Sequence, residues 1–434
     1  MRYLALLYLF SSVLAFGQQT TGTTPEVPPA PANAPSTPVS LVQSPEGNPN
    51  LLNLSVGGAF VYDDNTLGGY KGGDVDWGAI IDHRLEGGSL SLNYRGDYRD
   101  YNGVQGYSGT DQFLAFALQK ALNRRWSITI SESGGIYLYG ASYFSLQPLQ
   151  TNALQVNPYS FRTEFSSSAF SATYQKSLRL SYTGSVSYFL SRYSGNSPFG
   201  MTGVSASGSV AYRITARTTL SGTYSFSDFQ YQNLGGTAQI HTGYATLSHQ
   251  FRNRWNILGS AGVSRSESSG TINLALSPIL AQLLGTSYVT GHYDTATIFP
   301  YFQASASRQV SRHTSVSISG GQSVSPGNGV YLASKALNAS GYFSYTWRLA
   351  SIGFGGTYNR YGSVSNSAQA YRTAGFSASY GYPLTQHIGL NLRYDFIDYS
   401  TPGATINSVS PFDRDNRFTV GVAWNSKAVP ITLF

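Results

Sequence analysis

Between Gly203 and Asp228 the chain reads GVSASGSVAYRITARTTLSGTYSFSD, and this stretch limits what the whole can fold into. Val204, Ala206, Gly208, Val210 and Tyr212 alternate with Gly203, Ser205, Ser207, Ser209 and Ala211. After a polar turn over Arg213 to Thr218, Leu220, Gly222, Tyr224 and Phe226 alternate with Ser221, Thr223, Ser225 and Ser227. A period of two is a strand signature, and the short turn makes the two strands antiparallel neighbours. A sheet in water carries long charged side chains on its wet face. Here the polar face is Ser and Thr, and Tyr stands near the strand ends. A strand with lipid on one side and a wet lumen on the other has this composition.

The rest of the chain repeats the unit. Short turns recur near residues 85, 123, 178, 216, 253, 312, 349 and 385, and five of the seven intervals between them agree within two residues. Long connections lie on the opposite side, at Gly140 to Pro158 and Glu267 to Tyr293. Two strands before the first turn, two between successive turns and two after the last give 18. The predicted fold class is all-β: a closed antiparallel transmembrane barrel of about 18 strands, with short periplasmic turns and longer extracellular loops. The outward set in the third strand is Leu90, Leu92, Tyr94 and Tyr98, and in the seventh it is Leu180, Tyr182, Val186, Tyr188 and Leu190. Trp126, Trp255, Trp347 and Trp424 fall near the short turns, where an aromatic girdle belongs. Glu132 alone resists. Parity with Trp126, Ile128 and Ile130 puts it on the lipid face, which predicts a bulge near Gly134 and Gly135 or a protonated or shielded carboxyl. The run Ser166-Ser167-Ser168 blurs parity in the sixth strand.

Composition agrees. Only 11% of the 434 residues are charged and 41% hydrophobic, with 33 Tyr, 47 Gly and no Cys. A disordered chain lacks the aromatics, and a helical membrane protein is far more apolar. Without cysteine there is no disulfide framework and no thiolate metal site. The net charge of +7 gathers at the short turns, as at Arg84, Arg124, Arg125, Arg179, Arg213, Arg217, Arg252 and Arg254. No basic helix or nucleic-acid fold accompanies it, so nucleic acid is not an expected partner.

Three regions are predicted. Residues 1–17, MRYLALLYLFSSVLAFG, have a positive start, an apolar run and small residues at a cleavage spacing, which reads as a signal peptide. Residues 18–50 hold eight of the 18 prolines and read as a disordered periplasmic linker. Residues 51–434 are the barrel.

The first strand's outer end reads Tyr62-Asp63-Asp64-Asn65 after Leu54, Val56 and Phe60. With turns such as YRITARTTLSGTYSF, it resembles a bacterial family of outer-membrane β-barrel porins, some encoded beside exopolysaccharide-export genes. The likeness covers Leu51 to Trp424. It implies a channel in the outer membrane of a Gram-negative-type bacterium. Phe434 resembles the terminal aromatic that engages the barrel insertion machinery, although Pro430 and Thr432 interrupt the usual alternation before it.

Candidate sites follow from parity. Arg95, Asp97 and Arg99 share the inward face of the third strand, and Arg393 and Asp395 that of the seventeenth. Rings of such groups bias which ions pass, whereas mixed-sign pairs merely solvate the wall. The remaining lining reads as mostly Ser, Thr, Gly and Asn. In the long loop SPILAQLLG, Ser277 and Pro278 suit a helix start, and Ile279, Leu280, Leu283 and Leu284 give it one apolar side. Such a loop docks across the pore mouth as a constriction, over a neighbouring barrel, or on its own rim. The six histidines and the serines form no catalytic or metal-ligand motif, so no enzyme activity, cofactor or metal is expected. Two functions fit: a passive porin-like channel for small polar solutes, or a structural or exopolysaccharide-export-associated barrel working with periplasmic partners. Outer-membrane lipid is the expected surroundings, and a homo-oligomer is compatible.

Overall fold

In a computed structural model, residues 51–430 are described, apart from 66–67, 103–108, 139–161, 194–199, 232–235, 252–254, 276–287, 327–332, 364–370, 401–413 and 427–428. Residues 1–17 and 18–50, read above as a signal peptide and a linker, and Phe434 therefore lie outside the described residues. Eighteen strands run in chain order. They are β1 (Leu51–Asn65), β2 (Gly68–Leu85), β3 (Gly88–Asn102), β4 (Gly109–Ala121), β5 (Trp126–Leu138) and β6 (Arg162–Gln175). Next come β7 (Leu180–Tyr193), β8 (Met201–Thr215), β9 (Thr218–Tyr231), β10 (Gly236–Gln250), β11 (Trp255–Ala275) and β12 (Tyr288–Gln309). The last six are β13 (Thr314–Pro326), β14 (Ala333–Trp347), β15 (Ala350–Ser363), β16 (Tyr371–Pro383), β17 (Ile388–Ser400) and β18 (Arg414–Asn425).

Each strand pairs antiparallel with its chain neighbours, and β1 pairs with β18 from Ser55↔Asn425 to Asn65↔Asp415. The sheet is thus a closed 18-stranded barrel with no free edge at its termini. A two-residue β19, Val429–Pro430, continues the ladder of β1 below β18. Ser426 supports this corner: its amide donates to the Leu54 carbonyl at 2.8 Å, and its hydroxyl accepts from the Leu54 amide at 2.8 Å.

The short turns among the described residues stand where the sequence spacing puts them, and side-chain oxygens hold many of them. Asn123 Oδ1 accepts from the amides of Arg125 and Trp126 at 2.8 and 3.0 Å. Ser177, Thr215, Ser311 and Thr385 bind amides two residues on in the same way. These short side chains replace the hydrogen bonds that the backbone gives up in turning. In the turn after the opening hairpin's first strand, the register slips by one residue between Arg213 and Thr215.

The two faces are inverted relative to a soluble protein. Phe60, Val186 and Ile318 are 52%, 51% and 58% exposed on the outside, whereas Ser209, Ser221, Thr223 and Thr242 are buried on the inside. Inside, hydroxyls satisfy one another across strands, as in Ser185–Ser207 at 2.7 Å, Ser205–Ser227 at 2.8 Å, Thr246–Ser260 at 2.8 Å and Ser319–Ser340 at 2.7 Å. Apolar groups are accessible outside because the outer solvent is lipid.

Three expectations change. Neither ladder of β5 contains a bulge at Gly134 or Gly135: Glu132 lies opposite Phe116 and Ser168 on the outer face in continuous register. Gly135 has a different role, since a side chain there would collide with the Gln112 carbonyl and the Phe165 ring. The Ser166-Ser167-Ser168 run keeps its parity throughout. The connection read as a loop over Glu267 to Tyr293 is mostly strand, because β11 runs to Ala275 and β12 begins at Tyr288 with paired register between them. Residues Ser277, Pro278, Ile279, Leu280, Leu283 and Leu284 lie outside the described residues.

One ladder is cut short. β12 and β13 pair over eight residues only, from Gln309↔Ser315 to Phe302↔Gln322, while both strands run on. Two residues above the break stands Pro300, which has no N–H to donate. Beyond it β13 touches β10 and β11, which are not its ladder neighbours. Val324, outward by strand parity, instead packs in a buried cluster with Ala238 and Ile240 from the inner face of β10. Lys335, opposite Val324 in β14, lies 5.8 Å from the ring of Phe299 on the inner face of β12. The outer end of the β13–β14 hairpin therefore laps inside the wall.

The faces make a register test. Val186→Arg places a guanidinium in lipid and costs about 2–4 kcal/mol of folding free energy near the midplane. Ser185→Arg or Ser187→Arg, facing the lumen, leaves folding nearly unchanged. Urea unfolding in lipid vesicles measures both, and equal losses would mean that the faces are misassigned.

Candidate functional site: the barrel lumen

The inward positions of β17, β18 and β1 to β4 carry a connected cluster of charges. Arg99 Nε lies 2.6 Å from Asp97, and its Nη2 lies 3.1 Å from Asp111 of β4. Arg393 holds Asp395 with three contacts of 2.7–2.9 Å. Arg417 of β18 donates to the Tyr101 hydroxyl at 2.6 Å and lies 3.6 Å from Asp74. Tyr101 in turn donates to Asp74 at 2.6 Å. Arg417 reaches from β18 across the inner surface of β1 to partners on β2 and β3, so this contact spans the closure of the barrel. Asp63 and Asp395 lie directly opposite Arg417 on the two flanking strands, and Asp63 also shares a hydrogen bond with Asp415. Arg417 is 1% exposed and Asp63 is fully buried.

The five charged residues singled out by parity, Arg95, Asp97, Arg99, Arg393 and Asp395, all point inward, and four of them form ion pairs with one another. The cluster is larger than that set. Asp63, Asp74, Asp76, Asp111, Asp415, Arg417 and Tyr101 belong to it as well. Asp76, Asp97 and Asp111 sit side by side at one height, each the cross-strand partner of the next. Seven carboxyl groups thus meet four guanidinium groups. The wall carries more acidic than basic groups. Parity alone would have found Asp63, which shares the inward face with Ser55 and Gly57. Its place in the Tyr62–Asn65 motif drew attention to resemblance instead.

The opposite wall differs. Strand β10 is nine positions from β1 around the ring, and the inner face of β6 to β10 carries Phe165, Phe189, Met201, Phe229, Tyr231 and Ile240 in one buried cluster. Phe189 and Phe229 meet at a tilt of 52° with ring centroids 5.3 Å apart. Gly203 lies between them because a side chain there would strike both rings. The lumen is therefore not uniformly lined by Ser, Thr, Gly and Asn. Its outer half has one acidic wall and one apolar wall. Tyr342 also faces inward, over Gly353 and Gly355.

Trp126, Trp347 and Trp424 are exposed on the outer face at the short-turn end. Trp255 shares that end, with the Arg308 guanidinium 5.5 Å from its ring. The fifth tryptophan, Trp77, is at mid-height against Gly96, also outside.

No known family profile and no curated protein sequence matches the chain. Among solved structures, OccK2 (OpdF) of Pseudomonas aeruginosa, in complex with glucuronate, aligns over 88% of this chain and 98% of its own. The identity is 8% and the TM-score 0.45. OccAB4 of Acinetobacter baumannii aligns over 88% and 99%, at 9% identity and a TM-score of 0.45. The ferric-catecholate import receptor Fiu of Escherichia coli aligns over 86% and 81%, at 8% identity and 0.46. The barrel resembles those of outer-membrane channels and receptors, and similarity at this level says nothing about cargo.

Arg417→Ala leaves Tyr101 buried and Asp74 half-buried without their cation, and such losses cost up to about 3–5 kcal/mol. The variant should unfold at markedly lower urea concentration than the parent barrel. Ser187→Ala, a single lumenal hydroxyl, gives the comparison. Equal stability of Arg417→Ala and the parent would show that the cluster does not fasten the closure.

Proposed function

We propose that this protein is a passive outer-membrane channel for small polar solutes, with a preference for cations. One observation carries the reading: a ring of 18 strands whose inner face carries hydroxyls, many of them bonded to one another across strands, and a cluster with more carboxylates than guanidiniums. An 18-stranded barrel is wide enough for an aqueous bore unless segments fold into it. Hydroxyls that already bond one another offer a passing solute weak contacts on every side, which favours transit over capture. The carboxylate excess raises the local concentration of cations and repels anions. The tryptophans at the short-turn end would anchor the barrel at the periplasmic interface of the membrane. Insertion machinery for barrels of this class and self-association in the membrane are compatible with this role.

Planar-bilayer recordings test it. The purified protein should give stepwise conductance. In a KCl gradient the reversal potential should have the sign of cation preference, and Asp76→Asn should reduce the cation-to-anion permeability ratio by about half. Absence of steps from correctly folded protein would end the channel reading, and an anion-selective potential would end the charge reading.

Orientation is tested separately. Epitope tags at Asn196 or Asn366 should be reached by antibody on intact cells, whereas tags at Asn123 or Ala216 should not. Labelling of the second pair with the membrane intact would invert the barrel.

A further inference from the structure

We infer that the outer end of the β13–β14 hairpin is the constriction of this channel, seated on the lumenal apolar wall by Val324, Gln322 and Lys335. The inference deepens the channel reading above and rests on it. In a regular barrel wall, Val324 of β13 and Ile240 of β10 would stand three strands apart, roughly 14 Å. Parity would also put them on opposite faces. Instead both belong to one buried cluster, and Val324 is 5% exposed. Gln322, outward by the same parity, is buried and donates through its side-chain amide to the Pro300 carbonyl at 2.8 Å. That carbonyl lies above the last β12–β13 pair, where Pro300 has stopped the ladder. Gly321 allows the turn inward, because a Cβ there would lie 2.5 Å from the Phe302 carbonyl oxygen. The Lys335 ammonium over Phe299 holds the second strand of the hairpin against β12.

Two consequences follow for passage. Segment area inside the ring is lost to the bore, so the free cross-section is set beside Val324 and not by the ring of 18 strands. On its β12 side the hairpin is also joined to the wall by side chains rather than by a backbone ladder at this height, while β14 keeps its ladder with β15. It is therefore the part of the wall that separate substitutions can unseat while the ring stays closed through β13–β14 and the lower β12–β13 pairs.

The test pairs a cross-link with conductance. The natural chain has no cysteine, so a Val324→Cys, Ile240→Cys double variant carries the only thiols. Under mild oxidation the folded barrel should form the disulfide, detected by a gel shift that reductant reverses. Val324→Asp puts a charge into the apolar seat and should raise single-channel conductance by about twofold or more, with the barrel's heat-modifiable migration retained. Ser187→Asp adds the same charge to the lumenal wall of β7 away from the seat, and its gain in conductance should be clearly smaller than that of Val324→Asp. Failure of the thiols to pair in folded protein would overturn the seating. Pairing with no conductance change in Val324→Asp would overturn the constriction. If the parent itself gave no conductance, the channel reading would fail while the cross-link still reported the seat.

Discussion

Every backbone amide that meets lipid must find a partner within the protein, and the rest of this structure depends on that demand. Water cannot satisfy N–H and C=O groups in hydrocarbon, so a sheet crosses a membrane only as a closed ring. Here closure joins β1 to β18 over eleven residue pairs. It also brings Arg417 to Tyr101, residues separated by 316 positions in the chain. The charge cluster is centred on this joint. Its ion pairs are buried on the lumenal side, where breaking one partner away is far more costly than the pair's net contribution. The joint between the chain's two ends is thus reinforced where the strand order gives least local help.

The same demand explains the interruption of the wall between β12 and β13. A proline withholds one donor from the neighbour on one side of its strand, and Pro300 accordingly keeps its ladder with β11 while the pairing with β13 stops two residues away. At Pro300 the neighbouring strand turns inward, and its side chains cover the inner face of β10 to β12 instead of continuing the ladder. The apolar lumenal residues Phe229, Ile240 and Met201 gain a partner by this arrangement. They need one, because apolar surface facing a wet bore is unfavourable by about 25 cal/mol for each Å² left exposed.

Much of this was legible in the sequence, for a physical reason. A period of two is local, so strand number, turn positions and the inward direction of Arg95, Asp97, Arg99, Arg393 and Asp395 could be read residue by residue. Contacts made by ring closure were not legible in the same way. Arg417 and Asp74 belong to opposite ends of the alternating chain, and only their meeting across β1 gives them a common role. The inward lap of β13 was hidden for a different reason: Val324 keeps a regular outward parity, and the change lies in the path of the whole strand. Pro300 in the middle of an alternating run was the available signal. Parity placed Glu132 outward correctly, and of the two alternatives drawn from that, the bulge is the one the structure contradicts. The ladders of β5 are complete, and Gly135 serves close packing against Phe165.

The central claim is that alternate residues face water and lipid around a solute-accessible bore. Single cysteines placed at successive positions of β7, from Ser181 to Leu190, in this otherwise cysteine-free chain test it most directly. With the protein reconstituted in vesicles, a membrane-impermeant thiol reagent should label the odd positions quickly and the even positions slowly. Equal labelling along the strand, or fast labelling of the even set, would contradict the account.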